Sequence, residues 1–326
     1  MSHTRSFVEA VLISLSLFAL LACATGSSAQ ARSNYVVDQA FGRDGLVTEG
    51  VGPISGSRDI SPKALAKDAQ GRILFGAANG AEWQISRFLP DGSPDISFGD
   101  QGKVVVSSWV GYGGPTTIAT LGSGAVRPNG RILLAGFMGS FVLGNNARRG
   151  QATLVLTQLL SDGSPDQPFG QEDGGRLLEG GSGATKLVLR PDGGFLVGGF
   201  QQRYDTGRTD DGALFAFNSD GTLDDHFDQG PLYSTVDIFG APGKPSDVFD
   251  VDLLPGGRIL LSGTRKNRLW LMRLRQNGAP DRSFGKNGQV TMLPGGKKRT
   301  LAAVPRDLEV DNKGRLLVTG FTRPKD

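Results

Sequence analysis

The 326-residue chain contains one cysteine, Cys23, and two histidines, His3 and His226. A single cysteine excludes an intramolecular disulfide and every zinc site built on paired cysteines. His3 falls in a segment that reads as a leader, so His226 is left alone, which excludes zinc sites of two or three histidines. His226 sits inside a repeated turn motif with no nucleophile spaced to meet it. A turn role is therefore expected of it rather than a place in a Ser-His-Asp triad. Amphipathic stretches of helical length are hard to find beyond the first thirty residues. Charge of one sign is missing too: 35 basic residues stand against 32 acidic ones, a formal net charge of +3. They are spread along the chain, which argues against a dedicated nucleic-acid surface.

Long apolar runs are also missing. The stretch Ala10 to Ala22 is apolar over 13 residues, whereas a bilayer span needs about 20. With Arg5 before it and small residues after it, residues 1–31 read as an export signal. Ala29-Gln30-Ala31 offers one cleavage site and leaves a mature chain of residues 32–326. Leu20-Leu21-Ala22-Cys23 offers another, similar to the bacterial lipoprotein box, with Cys23 as the lipidation candidate and Leu21 as its departure from the usual pattern. The expected location is outside the cytoplasm, periplasmic or secreted, or alternatively lipid-anchored to the outer membrane, with no transmembrane segment in the mature chain.

Glycine is abundant, at 49 residues, and its positions repeat. The pattern Asp-x-x-Phe occurs at Asp38/Phe41, Asp95/Phe98, Asp166/Phe169, Asp224/Phe227 and Asp281/Phe284. Glycine follows four of the five, and Asp228 stands in its place once. A second signature alternates with the first: GRILFG from Gly71, GRILLAG from Gly130, GGFLVGG from Gly193, GRILLSG from Gly257 and GRLLVTG from Gly314. Repeats of this length mark propellers and solenoids. Each unit has room for four short strands: one before the tight Gly turn, one like RILLAGF, one like QISRFLP, and one like KVVV after a DGSPD turn. The aspartate is expected to accept backbone hydrogen bonds two residues on, and the phenylalanine to wedge against the neighbouring unit.

The ends of the chain are complementary. NYVVDQAFGRDGLVT reads as a third and fourth strand, and LEVDNKGRLLVTGF as a first and second. Joined, they make a fifth unit and leave few exposed sheet edges. The expected fold is all-β: a single five-bladed β-propeller of four-stranded blades, closed by pairing the terminal half-blades. These elements resemble the bacterial delta-60 repeat family from about Tyr35 to Phe321. That resemblance implies a β-propeller-like fold and brings no catalytic residues to carry over.

Strand order puts the short turns on one end and the long connections on the other. Two insertions, 138–152 and 201–212, carry Arg148, Arg149, Arg203, Tyr204 and Arg208 to the long-loop end, and Trp109 and Tyr112 arrive from an adjoining loop. Aromatics beside arginines suit a glycan or protein ligand. A second candidate lies on the inner strands. Asp250 and Asp252 precede the turn glycine Gly257 by the same spacing at which Asp307 and Glu309 precede Gly314. Alternation gives both pairs equivalent strand faces. Four such carboxylates are metal candidates, for Ca²⁺, through hard oxygen ligands. Asp250 and Asp307 could instead serve as the acid and base of a glycosidase, and the plainer reading is a hydrated polar channel with Lys186 as counter-charge. No phosphate-binding loop is present: GSGATK at Gly181 lacks the spacing, and PGGKKR at Pro294 is a basic turn. The expectation is a monomeric, non-enzymatic binding or scaffold module without a cofactor, the alternative being a hydrolase with glycans as its candidate substrates.

Overall fold

A computed structural model describes residues 37–48, 62–79, 82–107, 117–140, 152–170, 175–178, 182–201, 211–227, 235–237, 246–265, 268–292, 301–311 and 313–324. These residues form strands and turns arranged as five antiparallel sheets. The first sheet holds β1 (Pro62–Lys67), β2 (Ile73–Asn79), β3 (Glu82–Phe88) and β4 (Lys103–Val106). The second holds β5 (Thr117–Val126), β6 (Ile132–Ser140), β7 (Ala152–Leu159) and β8 (Gly175–Leu178). The third holds β9 (Ser182–Leu189), β10 (Phe195–Gln201), β11 (Asp211–Phe217) and β12 (Thr235–Asp237). The fourth holds β13 (Ser246–Leu253), β14 (Ile259–Arg265), β15 (Arg268–Leu274) and β16 (Gln289–Met292), and the last is the pair β17 (Leu301–Val310) and β18 (Leu316–Pro324). Strands follow one another across each sheet in chain order. The four-strand reading of the complete repeats and the two-strand reading of the last one agree with this.

The turns explain why strands stop where they do. Between β1 and β2 the Asp68 carboxylate accepts from the N–H groups of Gln70 and Arg72, and Gly71 adopts φ +80°. That left-handed conformation suits glycine, which has no Cβ to clash. In each first strand one residue slips out of register: Lys63, Gly122, Thr185, Phe249 and Arg306 all lie at such bulges. A bulge bends its strand locally, and those at Gly122 and Thr185 sit where neighbouring sheets meet. The Thr185 hydroxyl donates to the Val248 carbonyl of β13 at 2.6 Å. A Cβ added at Gly122 would lie 2.3 Å from the Ala184 carbonyl oxygen of β9.

The core lies between sheets. One cluster joins Leu74 and Trp83 of the first sheet to Leu121 and Val155 of the second. Others join Leu133 to Phe195, Leu196 to Val251, and Leu260 to Leu308, so each links one sheet to the next. The motif phenylalanines take part as expected. Phe98 packs against the turn at Gly163 in the second sheet, and Phe169 against Gly221 in the third. The glycines after Phe98 and Phe169 do more than turn the chain. The Gly99 N–H donates to the Asp162 carbonyl at 2.8 Å, and the Gly170 N–H to Asp220 at 2.8 Å, so the motif latches one sheet to the next.

The amino-terminal segment departs from the sequence reading. Residues 38–48 form turns with a lone bridge between Arg43 and Leu46, and no strand. In the four complete sheets the third strand ends seven residues before the motif aspartate, as Phe88 does before Asp95. Counted from Asp38, that place is residue 31, outside the described residues. Tyr35 lies only three residues before Asp38, within what is turn in the other repeats. The Gly42 N–H nevertheless donates to the Asp91 carbonyl at 2.6 Å, which is the same latch, made onto the first sheet.

Candidate functional site

The inner-strand carboxylates fall within the described residues. Asp250, on β13, is 1% exposed and bridges three first strands. Its Oδ1 meets Lys186 Nζ of β9 at 2.8 Å and accepts from its neighbour Val251 N–H at 2.9 Å. Its Oδ2 accepts from the Leu308 N–H of β17 at 2.6 Å. Removal from water raises the Asp250 pKa, and the Lys186 charge and the two N–H donors only partly offset this. Lys186 thus fills the counter-charge role foreseen for it.

Asp252 is half-buried and accepts from the Leu253 N–H at 2.8 Å. Burial raises its pKa, Leu253 and Lys186 oppose the rise, and the negative charge of Asp307 adds to it. Asp307 and Glu309 are exposed on β17. These four do not gather into a metal-ligand group. Among the described residues, the potential ligands that approach within 4.8 Å of one another in a group of three are Asp224, Asp225 and His226. In that turn, Asp224 Oδ2 is taken by Arg190 Nη1 at 2.7 Å and its Oδ1 accepts from the His226 N–H at 3.1 Å. His226 itself points to solvent, its side chain 91% exposed.

A second polar system runs through the motif aspartates; the bond from the N–H two residues on was expected, and the side-chain donors were not. Asp95 Oδ1 accepts from the Ser97 N–H and hydroxyl, and its Oδ2 from Arg87 Nε at 2.8 Å. The Arg87 guanidinium lies 4.5 Å from the Phe98 ring centroid and also reaches the Ser161 carbonyl of the second sheet. Arg273, Asp281 and Phe284 repeat the arrangement in the fourth sheet, and Gln158 Nε2 replaces the arginine on Asp166 at 2.6 Å. The signal was an arginine or glutamine eight residues before the motif aspartate. Burial opposes ionisation of Asp95, but the Ser97 and Arg87 hydrogen bonds outweigh it and lower the pKa.

The long-loop candidates Trp109, Tyr112, Arg148, Arg149, Arg203, Tyr204 and Arg208 lie outside the described residues, as does Cys23. Among the described residues, no helix is long and apolar enough to cross a membrane.

No protein-family model matches the chain, and no curated protein matches it. Solved structures do align. A protein of unknown function from Bacteroides caccae is 11% identical, with 72% of this chain and 88% of that one covered and a TM-score of 0.30. A protein from Lactobacillus plantarum is 10% identical, covering 79% and 77% of the two chains at a TM-score of 0.34. An engineered GH43 glycoside hydrolase with endo-xylanase and exo-arabinofuranosidase activity is 11% identical, covering 81% of this chain and 55% of its own at 0.35. Likeness at this level carries neither a fold assignment nor an activity to this chain.

Proposed function

We propose that the chain is an exported, non-enzymatic binding or scaffold module, a delta-60-like propeller of five blades whose last blade is completed at the amino-terminal segment. One observation supports closure: the Gly42 N–H donates to the Asp91 carbonyl of the first sheet as the Gly99 and Gly170 N–H groups donate to the sheets that follow theirs.

The observation that carries the non-enzymatic reading is the state of Asp250. Its oxygens are engaged by Lys186, Val251 and Leu308, so it serves to join three strands rather than to wait for a substrate. The ligand then belongs to the long-loop end, as a glycan or a protein. A glycan and cell-wall binding screen on the mature chain tests this: a ligand recovered unchanged is expected. The hydrolase reading has one observation in its favour, the raised pKa of Asp252 beside the exposed Asp307, which suits an acid and base pair. Turnover that disappears in Asp252→Asn or Asp307→Asn would establish it.

A further inference from the structure

The four seams inside the chain share one construction. A leucine on the second strand of one sheet shares a core cluster with an apolar residue on the first strand of the next: Leu74 with Leu121, Leu133 with Leu187, Leu196 with Val251 and Leu260 with Leu308. All of these are at most 5% exposed. The residues placed for a fifth such contact are Leu317 of β18 and Leu65 of β1, and they are 38% and 50% exposed. Phe321, on the same face of β18 as Leu317, is 46% exposed. Apolar packing therefore leaves the last and first sheets unsealed.

The bulges show what else stands at a seam. Gly122 approaches the Ala184 carbonyl, one residue before the Thr185 bulge, and the Thr185 hydroxyl donates to the Val248 carbonyl, one residue before the Phe249 bulge. The same step taken from β17 to β1 sets Arg306 beside Lys63. Two further observations agree with that placement. The Arg306 guanidinium lies 5.2 Å from the Phe321 ring centroid, on the face that carries Leu317. Partial burial, and then the Arg306 charge, lower the Lys63 pKa. Where the inner seams place glycine, threonine and phenylalanine, the fifth places two cations. Among the described residues neither has a carboxylate partner, and Asp307, next to Arg306, acts on Asp252 of β13 instead. Like charges so placed repel, which opposes the approach that would set Leu65 on Leu317.

We propose that the fifth seam holds a site for a small divalent oxyanion, phosphate or sulfate, seated between Lys63 and Arg306, and that the bound anion draws the first and last sheets together until Leu65 packs on Leu317. Arg306 supplies a planar fork of donors that matches such an anion, and Lys63 a compact charge. With the anion in place the force across the seam changes sign. The proposal rests on the ring reading above, in which the last sheet adjoins the first.

The probe is inorganic phosphate, titrated against the full chain at constant ionic strength with chloride as control, and the readout is amide hydrogen exchange. Saturable protection of β1 and β18 is expected, reaching about a hundredfold slowing when phosphate exceeds its Kd a hundredfold. Lys63→Glu sets opposite charges across the seam, so it should protect the same amides without phosphate and remove the response to it. Lys63→Arg should keep the response. Both seam cations are exposed, and unchanged circular dichroism verifies that the variants fold. No protection by phosphate, or equal protection in Lys63→Glu, would overturn the site. Protection by phosphatidylglycerol vesicles with none by free phosphate would overturn it too, in favour of a lipid headgroup. Leu65→Cys with Leu317→Cys, in a chain carrying Cys23→Ser, separates this proposal from the ring itself, because a disulfide needs Cα atoms about 4.4–6.8 Å apart. Phosphate should speed that cross-link. Cross-linking at one rate with and without phosphate would overturn the anion site and keep the ring, whereas no cross-linking, even with Lys63→Glu added, would overturn both.

Discussion

Phe98 makes its contribution outside its own sheet. It is fully buried against the turn at Gly163, and truncating such a side chain costs about 3–5 kcal/mol. Phe98→Ala should lower the urea midpoint accordingly with an unchanged slope, and an unaltered midpoint would show that the latch holds nothing. Gly163→Ala should act in the same direction, because φ is +94° there and a Cβ would meet Val104 Cγ2 at 2.5 Å. The aspartate beside Phe98 ties stability to pH. Asp95 has a lowered folded-state pKa, so the stability it gives is present above the unfolded value of about 3.9 and is lost as pH falls through the lower folded one. Asp250 and Asp252 have the opposite sign, and their raised values make stability fall as pH rises from the unfolded value to the folded one. Asp95→Asn should therefore flatten the acid limb of a stability profile below pH 4, and Asp250→Asn should flatten the limb above it.

The strands themselves were largely legible. The glycine turns and the four apolar segments recur at fixed places, and β1 to β16 follow them. What stayed hidden was what joins one sheet to another. The bulge positions Lys63, Gly122, Thr185, Phe249 and Arg306 share no chemistry, so no residue type marks the register slip in the sequence. Gly99 reads in sequence as a turn residue, yet a Cβ there would lie 2.1 Å from the Lys103 carbonyl oxygen and its N–H is spent on the next sheet. The candidate site divides similarly. Alternation foresaw that Asp250 and Asp307 share a strand face, but not that Asp250 turns to the Leu308 N–H. That contact makes β13 and β17 dependent on one carboxylate. Asp250→Ala leaves a buried donor unmet and should cost about 1–3 kcal/mol. Lys186, which is partly exposed, adds little to that figure. A loss confined to activity, with no change in melting, would instead make Asp250 a functional acid.

At the scale of the molecule, four core seams join five sheets in sequence, and the fifth seam decides the architecture. In an open stack each sheet depends only on its neighbours, so damage to the last sheet stays local. In a closed ring the last sheet adjoins the first. Leu65 of β1 is 50% exposed, while Leu187, Val251 and Leu308 at the same place in later sheets are 5% exposed or less. In the proposed ring, that face of the first sheet is the one the last sheet would cover. The decisive measurement is native-state hydrogen exchange on the chain lacking Gly314 to Asp326. The ring account predicts that amides of β1 and β2 lose protection along with those of β13 and β14, while the second sheet keeps more of its own. Loss confined to β13 to β17, with β1 and β2 protected as in the full chain, would contradict it.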